Sequence, residues 1–218
     1  MAATKQKTYW FLAIAMVVLV LDQWSKYVIR TTPELHRKTL IDGWLQFNFT
    51  SNPGMALGIT WAETWVISLV SIAATIIITV VVFKMIDRAN LGFMICMGLI
   101  IGGALGNIAD RLYMAKIGGY GGILDGHVVD FIHFKLRIGN WDVFPYIFNV
   151  ADMAISVSIV TLLLFSKWLI PPDKPKTKIE PHEESAFEEP QVIVGDDSNI
   201  DDLGHEEESD TDSRNPQN

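Results

Sequence analysis

Two carboxylates in this sequence lie in surroundings that are otherwise apolar. Asp152 lies in "YIFNVADMAISVSIV" (residues 146–160), three residues after Asn149, and Asp130 lies in "HVVDFIHF" (residues 127–134). A carboxylate at the centre of a membrane-spanning helix costs about 2.5–3.5 kcal/mol, so such a residue usually has a function or a partner. Two carboxylates that share a site hold one proton between them and can act as general base and general acid. The apolar neighbours of Asp130 are expected to raise its pKa.

Two other pairs of charged residues suggest structural roles. Asp22 and Lys26 are four residues apart in "LDQWSKYVI", so they can form an ion pair on one helix face. Asp110 and Arg111 in "GNIADRL" also suggest a structural pair, and Arg111 could extend to the membrane surface. The sequence favours these interpretations over catalytic roles for the four residues.

The segment "GGALG" has glycines at positions i and i+4 of a helix, Gly102 and Gly106. This spacing lets two helix backbones approach closely, and no strand precedes it, so helix packing is favoured over a phosphate-binding loop. Asn107 follows one helical turn before Asp110. Its amide can hydrogen-bond a neighbouring loop or a substrate backbone.

A metal site is suggested by His127, Asp130 and His133, which are three residues apart. On a strand, however, the two histidines lie on one face and Asp130 on the other, so we predict no metal and no cofactor. Cys96 is the single cysteine and lies within an apolar run, which excludes a disulfide framework and a thiolate metal cluster.

The chain divides by composition into an apolar body and an acidic tail. Residues 1–170 carry 13 Lys and Arg against 10 Asp and Glu, whereas residues 171–218 carry 4 against 15. The tail cannot bury enough apolar surface to offset its ordering entropy, so we predict that it is disordered. No basic, aromatic-studded surface indicates nucleic-acid binding.

The body contains four segments with the length and composition of membrane spans, which need about 20 mostly apolar residues. The first could also be a signal peptide, but no small-x-small cleavage site follows Leu21. We therefore predict an all-α membrane protein, a bundle of four transmembrane helices. The spans are about residues 9–29, 65–83, 89–110 and 145–168.

Four spans place both termini on one side of the membrane, which we assign to the cytoplasm. The longer polar segments, residues 30–64 and 111–142, then lie together on the other side, and "LQFNF" and "HVVDFIHF" have the composition of strands. We expect a small extracytoplasmic β-sheet that rests on the helix ends. In this topology Asp22, Asp110 and Asp152 fall near the same membrane face, where Asn52 and Asp130 also lie.

Five blocks of the sequence resemble, in order and spacing, bacterial lipoprotein signal peptidase (signal peptidase II). They are "LDQWSKYVI" (21–29), "NPGMALG" (52–58), "GGALGNIADR" (102–111), "VVDFI" (128–132) and "FNVAD" (148–152). The resemblance covers about residues 9–168. It implies a multi-pass aspartyl endopeptidase of the bacterial inner membrane that needs no metal. Such an enzyme cuts diacylglyceryl-modified prolipoproteins just before the lipidated cysteine, near the extracytoplasmic face, and globomycin inhibits it.

The resemblance also implies roles for individual residues. Asp130 and Asp152 would be the catalytic pair. The residues that match the supporting positions of the family are Asn52, Gly54, Ala56, Asn107, Asp110, Arg111, Asn149 and Ala151, with Asp22 and Lys26 as structural residues. Of these, Asn52, Asn107, Arg111 and Asn149 would hold the substrate backbone and orient the carboxylates.

The chain departs from the family pattern at three places. Leu57 stands where an aromatic residue is usual, residues 112–127 are about ten residues longer than usual, and the acidic tail is additional. The glycines of the long segment suggest a flap over the site.

Two other kinds of function remain open from the sequence. Intramembrane carboxylates also serve as relays in a small proton-coupled transporter or a channel subunit, but those would be distributed through the membrane depth. A structural scaffold would use Asp22–Lys26 and Asp110–Arg111 as ion pairs and would leave Asp130 and Asp152 unexplained.

Overall fold

The computed structural model describes residues 2–54, 62–135, 137–139, 141–142 and 146–171. Ala56, Leu57 and almost all of the acidic tail lie outside these residues.

Within the described residues the protein is mostly helical. Its helices are α1 (Ala2–Thr31), α2 (Thr64–Met85), α3 (Leu91–Gly118), α4 (Val150–Leu164) and the short α5 (Ser166–Leu169), with one 3-10 turn at Pro33–Leu35. The first three are long and apolar enough to cross a membrane, and α4 is an apolar helix of 15 residues. The four predicted apolar segments therefore all form helices.

Two of these helices have different ends from those predicted. α3 continues past Asp110 for two turns, because "RLYMAKI" has no helix breaker, and it stops at Gly118 with Gly119 in a left-handed conformation (φ 69°). Part of the predicted flap is thus helical. α4 begins only at Val150, so Asp152 lies in its first turn and not two turns into a span.

Hydrogen bonds at the end of the bundle where the chain termini lie, here called the chain-terminal end, show in which direction each helix runs. Lys7 Nζ of α1 donates to the carbonyl oxygens of Ile86 (3.2 Å) and Asp87 (3.1 Å), which follow α2. Asn90 Nδ2, at the start of α3, donates to the carbonyl oxygen of Trp168 in α5 (2.5 Å). The beginning of α1, the α2–α3 turn and the end of α5 therefore lie together, and α4 with α5 runs antiparallel to α3.

Small residues allow α3 to pack closely against α1 and α4. A Cβ atom on Gly102 would lie 2.6 Å from the carbonyl oxygen of Ala15 in α1, and one on Gly103 would lie 2.6 Å from that of Ala151 in α4. The predicted helix-packing role of the glycine segment is confirmed, and Gly103 adds a second helix contact to it. A buried cluster at the chain-terminal half of the bundle includes Phe11 and Met94.

A small antiparallel sheet covers the opposite end of the helices. Its strands are β1 (Arg37–Ile41), β2 (Leu45–Asn52), β3 (Val128–Phe134) and β6 (Ile147–Phe148), in the order β1-β2-β3-β6, and β4 (Arg137–Ile138) pairs separately with β5 (Trp141–Asp142). The strands predicted at "LQFNF" and "HVVDFIHF" are confirmed. β1 was not predicted, although Asp42-Gly43 between it and β2 is a hairpin signal, with Gly43 at φ 73°.

The sheet is held to the helix ends by apolar contacts. Val129 and Phe131 of β3 form a buried cluster with Ile29 at the end of α1, and Met114 of α3 and Val150 of α4 pack against it. β3 thereby places Asp130, which lies between two of these anchoring residues, beside the start of α4.

Substitution of Gly102 tests the close approach of α1 and α3. Gly102→Ala introduces a Cβ atom against backbone atoms of Ala15, so we expect a loss of about 1–3 kcal/mol of unfolding free energy, as for overpacking. Thermal unfolding in detergent measures it. The control is Gly92→Ala, whose new Cβ meets chiefly the movable end of the Leu169 side chain. Equal unfolding temperatures for the two variants would contradict the close helix contact.

Candidate functional site

A buried cluster of three charged residues lies between α1 and α3. Lys26 Nζ is 2.8 Å from Asp22 Oδ2 and 2.9 Å from Asp110 Oδ2, and the three residues are at most 3 % exposed. The predicted Asp22–Lys26 pair is confirmed. Gln23, which was not predicted as a site residue, donates through Nε2 to Asp110 Oδ1 (3.1 Å) and to the carbonyl oxygen of Gly106 (2.9 Å).

The predicted pairing of Asp110 with Arg111 is wrong. Adjacent residues of a helix point in directions about 100° apart, and Asp110 faces Lys26 instead. Arg111 lies near Asp110, Asp130 and Asp152, and its Nε is buried without a hydrogen-bond partner in the part of the chain that the structure describes. The guanidinium therefore has an unused donor beside the carboxylates.

Asp22 also fixes the start of α4. Its Oδ1 accepts a hydrogen bond from the backbone N–H of Ala151 (2.9 Å), one of the first-turn donors that a helix leaves unpaired. Gly106 makes room for this carboxylate, since a Cβ atom there would lie 2.5 Å from Asp22 Oδ2. Ala151 itself is fully buried, so a larger side chain has no space.

Asn149 is the N-cap of α4 and forms a capping box with Asp152. Its Oδ1 accepts from the Asp152 backbone N–H (3.0 Å), and Asp152 Oδ2 accepts from the Asn149 backbone N–H (3.2 Å). The predicted span of about residues 145–168 placed Asn149 inside a helix, which is wrong, since Asn149 is the cap that precedes the first turn. The spacing Asn-x-x-Asp is the signal that could have revealed the helix start.

Asn149 and Asn107 connect the two candidate catalytic carboxylates. Asn149 Nδ2 donates to Asp130 Oδ1 (2.7 Å) and to Asn107 Oδ1 (3.1 Å), while Asn107 Nδ2 donates to Asp152 Oδ1 (2.9 Å). Lys26 Nζ also donates to Asn107 Oδ1 (3.0 Å). One network of hydrogen bonds therefore joins Asp130, Asp152 and the ion cluster, as the predicted convergence of these residues requires.

The end of β2 and the residues directly after it bring two further predicted residues, Asn52 and Gly54, to the site. Thr50 pairs with Asp130 in the sheet, and Asn52 Nδ2 donates to Asp130 Oδ2 (2.9 Å). Asn52 Oδ1 accepts from the backbone N–H of Gly54 (2.9 Å), which has a φ of 118° and packs against Ile67. A side chain at Gly54 would therefore be strained and would collide with α2.

The electrostatics of the site favour a protonated Asp130. Burial, and secondly the charge of Asp152, raise the pKa of Asp130 to about 6, although hydrogen bonds from Asn52 and Asn149 act in the opposite direction. Asp130 therefore holds a proton at pH values below about 6.

The two histidines near Asp130 have separate neighbours. His127 Nδ1 is 3.1 Å from Ser51 Oγ, and His133 Nδ1 is 3.0 Å from Gln46 Nε2. Burial and the nearby Arg111 lower the pKa of His127. Among the described residues, no three His, Cys, Asp or Glu side chains are grouped closely enough to hold a metal ion.

Removal of the buried lysine tests the ion cluster. Lys26→Met leaves Asp22 and Asp110 buried without their cation, so we expect a loss of about 3–5 kcal/mol of unfolding free energy. Denaturant unfolding in detergent measures it, with Lys38→Met on exposed β1 as the matched control. If both variants unfold at the wild-type midpoint, the cluster does not hold the helices together.

Comparisons with known proteins agree with the geometry of this site. The sequence model of the family described as signal peptidase (SPase) II matches residues 14–168, which include all the described candidate residues. A lipoprotein signal peptidase of Chlorobium phaeobacteroides is 32 % identical over 79 % of this chain and 99 % of its own length. One from Porphyromonas gingivalis is 31 % identical over 70 % of this chain and 80 % of its own.

The fold agrees with a solved structure as well. A bacterial membrane enzyme whose structure was determined by the in meso method is similar with a TM-score of 0.55 and 28 % identity, over 76 % of this chain and 94 % of that one. The sequence match, its length and this likeness lead to one conclusion: the chain belongs to the signal peptidase II family.

Proposed function

We propose that the protein is an aspartyl endopeptidase that removes the signal peptide from diacylglyceryl-modified prolipoproteins, just before the lipidated cysteine. The observation that carries the proposal is the single network in which Asn149 and Asn107 join Asp130 to Asp152. Membership of the signal peptidase II family supports this substrate, and we expect globomycin to inhibit the enzyme.

In the proposed reaction Asp130 carries the proton and Asp152 is ionised. Asp152 takes a proton from water, and the water oxygen attacks the scissile carbonyl carbon while Asp130 donates its proton towards the carbonyl oxygen. In the second step Asp152 passes its proton to the leaving nitrogen as the C–N bond breaks, and ionised Asp130 takes the proton from one hydroxyl of the tetrahedral intermediate, whose oxygen becomes the new carbonyl oxygen. The pair thereby returns to its starting protonation state, and the reaction uses no metal.

The surrounding residues are proposed to orient the carboxylates and the substrate. The side-chain amides of Asn52 and Asn149 each donate a hydrogen bond to one oxygen of Asp130, and that of Asn107 donates to one oxygen of Asp152. Arg111 Nε has no hydrogen-bond partner among the described residues, and this donor suits a carbonyl oxygen of the substrate backbone. Ala56 is proposed to line the site from its position in the matching block.

We further propose that four helices cross the inner membrane, with both termini in the cytoplasm. α4 and α5 together cover about 20 residues, or about 30 Å, which suffices for a span. The hydrogen bonds of Lys7 and Asn90 hold the beginning of α1 and the end of α5 beside the α2–α3 turn. An even number of spans requires this arrangement, because both chain termini are then on one side of the membrane. The site is then extracytoplasmic. The tail beyond Pro171, for which the sequence predicts disorder, lies outside the described residues.

The polar groups of the bundle argue against a proton-coupled transporter. Near the middle of α2 and α4, Thr75 and Ser158 are buried, and each hydroxyl donates to a backbone carbonyl oxygen. Among the described residues, the buried charged side chains lie instead at the sheet end; they are Asp22, Lys26, Asp110 and Asp130. Prolipoprotein cleavage measured beside proton flux in liposomes separates the two functions.

Conservative replacement of either carboxylate tests the proposed reaction. Asp130→Asn and Asp152→Asn should each lower the cleavage rate by at least about 10²–10⁴-fold, because each removes a proton-transfer group but keeps an oxygen for the surrounding donors. Cleavage of a purified diacylglyceryl-prolipoprotein by folded variants measures it. Asp42→Asn, at an exposed turn, is the control. Near wild-type cleavage by either site variant would refute the assignment.

The pH dependence of kcat/KM tests the proton on Asp130. This proton is present below a pKa of about 6 and is lost above it, so kcat/KM should fall by up to tenfold per pH unit on the alkaline side. Asn52→Ala removes a hydrogen bond that favours the ionised form, and it should move this limb to higher pH.

Gln46→Ala, in the same strand but bonded to His133, serves as the control for this experiment. An alkaline limb that stays in place in Asn52→Ala, or a rate that rises through pH 6, would show that Asp130 does not carry the essential proton.

A further inference from the structure

A groove between the helices lies on the side of α3 that faces away from the carboxylates. It has a volume of about 570 Å³ and is bounded by α1, α2 and α3, with Leu105 among its lining residues. Successive residues of a helix are about 100° apart, so Leu105 lies about 200° from Gly103 and Asn107. Those two residues contact Ala151 and Asp152 of α4. The groove is therefore separate from the site described above.

The lining of the groove suits a hydrocarbon chain. Its side chains are apolar except for two threonines of α2, and both hydroxyls are occupied within that helix: Thr75 Oγ1 donates to the Ser71 carbonyl oxygen and Thr79 Oγ1 to that of Thr75, each at 2.7 Å. The lining residues of α1 extend from Phe11 to Leu19, which is about 12 Å along the helix. One leaflet of the hydrocarbon core is about 15 Å thick.

One end of the groove lies among exposed aromatic side chains of the kind that concentrate at a membrane interface. Phe11 lines this end on α1, directly after the exposed aromatic residues Tyr9 and Trp10. Trp168, which is also exposed, is held at the same end of the bundle by Asn90. Because Trp and Tyr concentrate at the level of the headgroups, a chain in the groove would have its headgroup here.

Two lysines flank this end of the groove. Lys84 is exposed and follows the lining residue Val80 by one helical turn, and Lys7 precedes Phe11 by one turn. Lys7 uses two of its three donors on the carbonyl oxygens of Ile86 and Asp87, so within the described part of the chain one donor remains. The neighbouring carboxylate, Asp87, accepts a hydrogen bond from Thr4 Oγ1 (3.1 Å). The two lysines together outweigh this one carboxylate, so the net charge of these three residues beside the groove is positive.

We propose that this groove binds one acyl chain of an anionic phospholipid from the leaflet on the side of the chain termini. The phosphate lies beside Lys7 and Lys84, and the chain lies between α1 and α2 over Leu105. The site takes a lipid of the bilayer and not the acyl chains of a substrate at the carboxylates, because α3 separates the two positions.

Lipid binding to the purified full chain in detergent, followed by native mass spectrometry, tests the proposal. Phosphatidylglycerol should bind more tightly than phosphatidylcholine. Lys84→Gln should weaken phosphatidylglycerol binding about fivefold, the factor that one lysine contributes near an anionic surface, and Lys167→Gln at the same end should not. Thr79→Phe fills the groove and should remove binding of both lipids, whereas Ile77→Phe, on an exposed position of the same helix, should leave binding unchanged.

Three results would overturn this proposal. Phosphatidylglycerol could bind Thr79→Phe as tightly as wild type, or Lys84→Gln and Lys167→Gln could weaken binding equally, which would indicate a diffuse surface effect. A dimer that Thr79→Phe dissociates would show that a second copy of the chain occupies the groove. Cleavage activity is measured in parallel, and its presence or absence does not decide lipid binding.

Discussion

The buried charge of Lys26 is the interaction on which the rest of the site depends. Its ammonium group contacts carboxylates from α1 and α3 and the amide oxygen of Asn107. A charge removed from water must be compensated by close partners, so the ends of these two helices can lie in only a narrow range of positions. Asp22 extends this constraint to α4 through the backbone N–H of Ala151. Three helices are thus fixed at one point, directly beneath the sheet.

The two asparagines carry this constraint to the carboxylates. Asn149 combines a structural task, the cap of α4, with a bond to Asp130 on a different element. Asp152 in turn belongs to the same capping box, so the start of α4 determines where its carboxylate lies. Since β3 is anchored on the helix ends by Val129 and Phe131, Asp130 meets this group from the opposite side. Because burial disfavours the anionic form of Asp130, its pKa is raised and it keeps its proton to a higher pH.

Much of this arrangement was predictable from the sequence, and the parts that were not have physical reasons. Apolar runs revealed the helices because hydrophobic length is a strong signal. The alternation of residues 45–49 and the β-branched and aromatic composition of residues 127–134 revealed two strands. The partner of Asp110 was not predictable: adjacency in sequence suggested Arg111, whereas the helix turn directs Asp110 to Lys26 on α1. Gln23 was overlooked because a polar residue one position from a charge has many possible partners until the helix contacts are known. The start of α4 was misjudged because hydropathy continues through residues 146–149, although the Asn-x-x-Asp capping pattern was present.

In this site the charge of Asp152 helps to hold a proton on Asp130. Infrared titration of the protonated carboxyl C=O band, assigned by its loss in Asp130→Asn, measures this directly in the purified protein. We expect the band to disappear with a midpoint of about pH 6, and Asp152→Asn to move this midpoint to lower pH because the neighbouring negative charge is gone. A midpoint that is identical in wild type and Asp152→Asn would contradict the claim that the two carboxylates act as one pair.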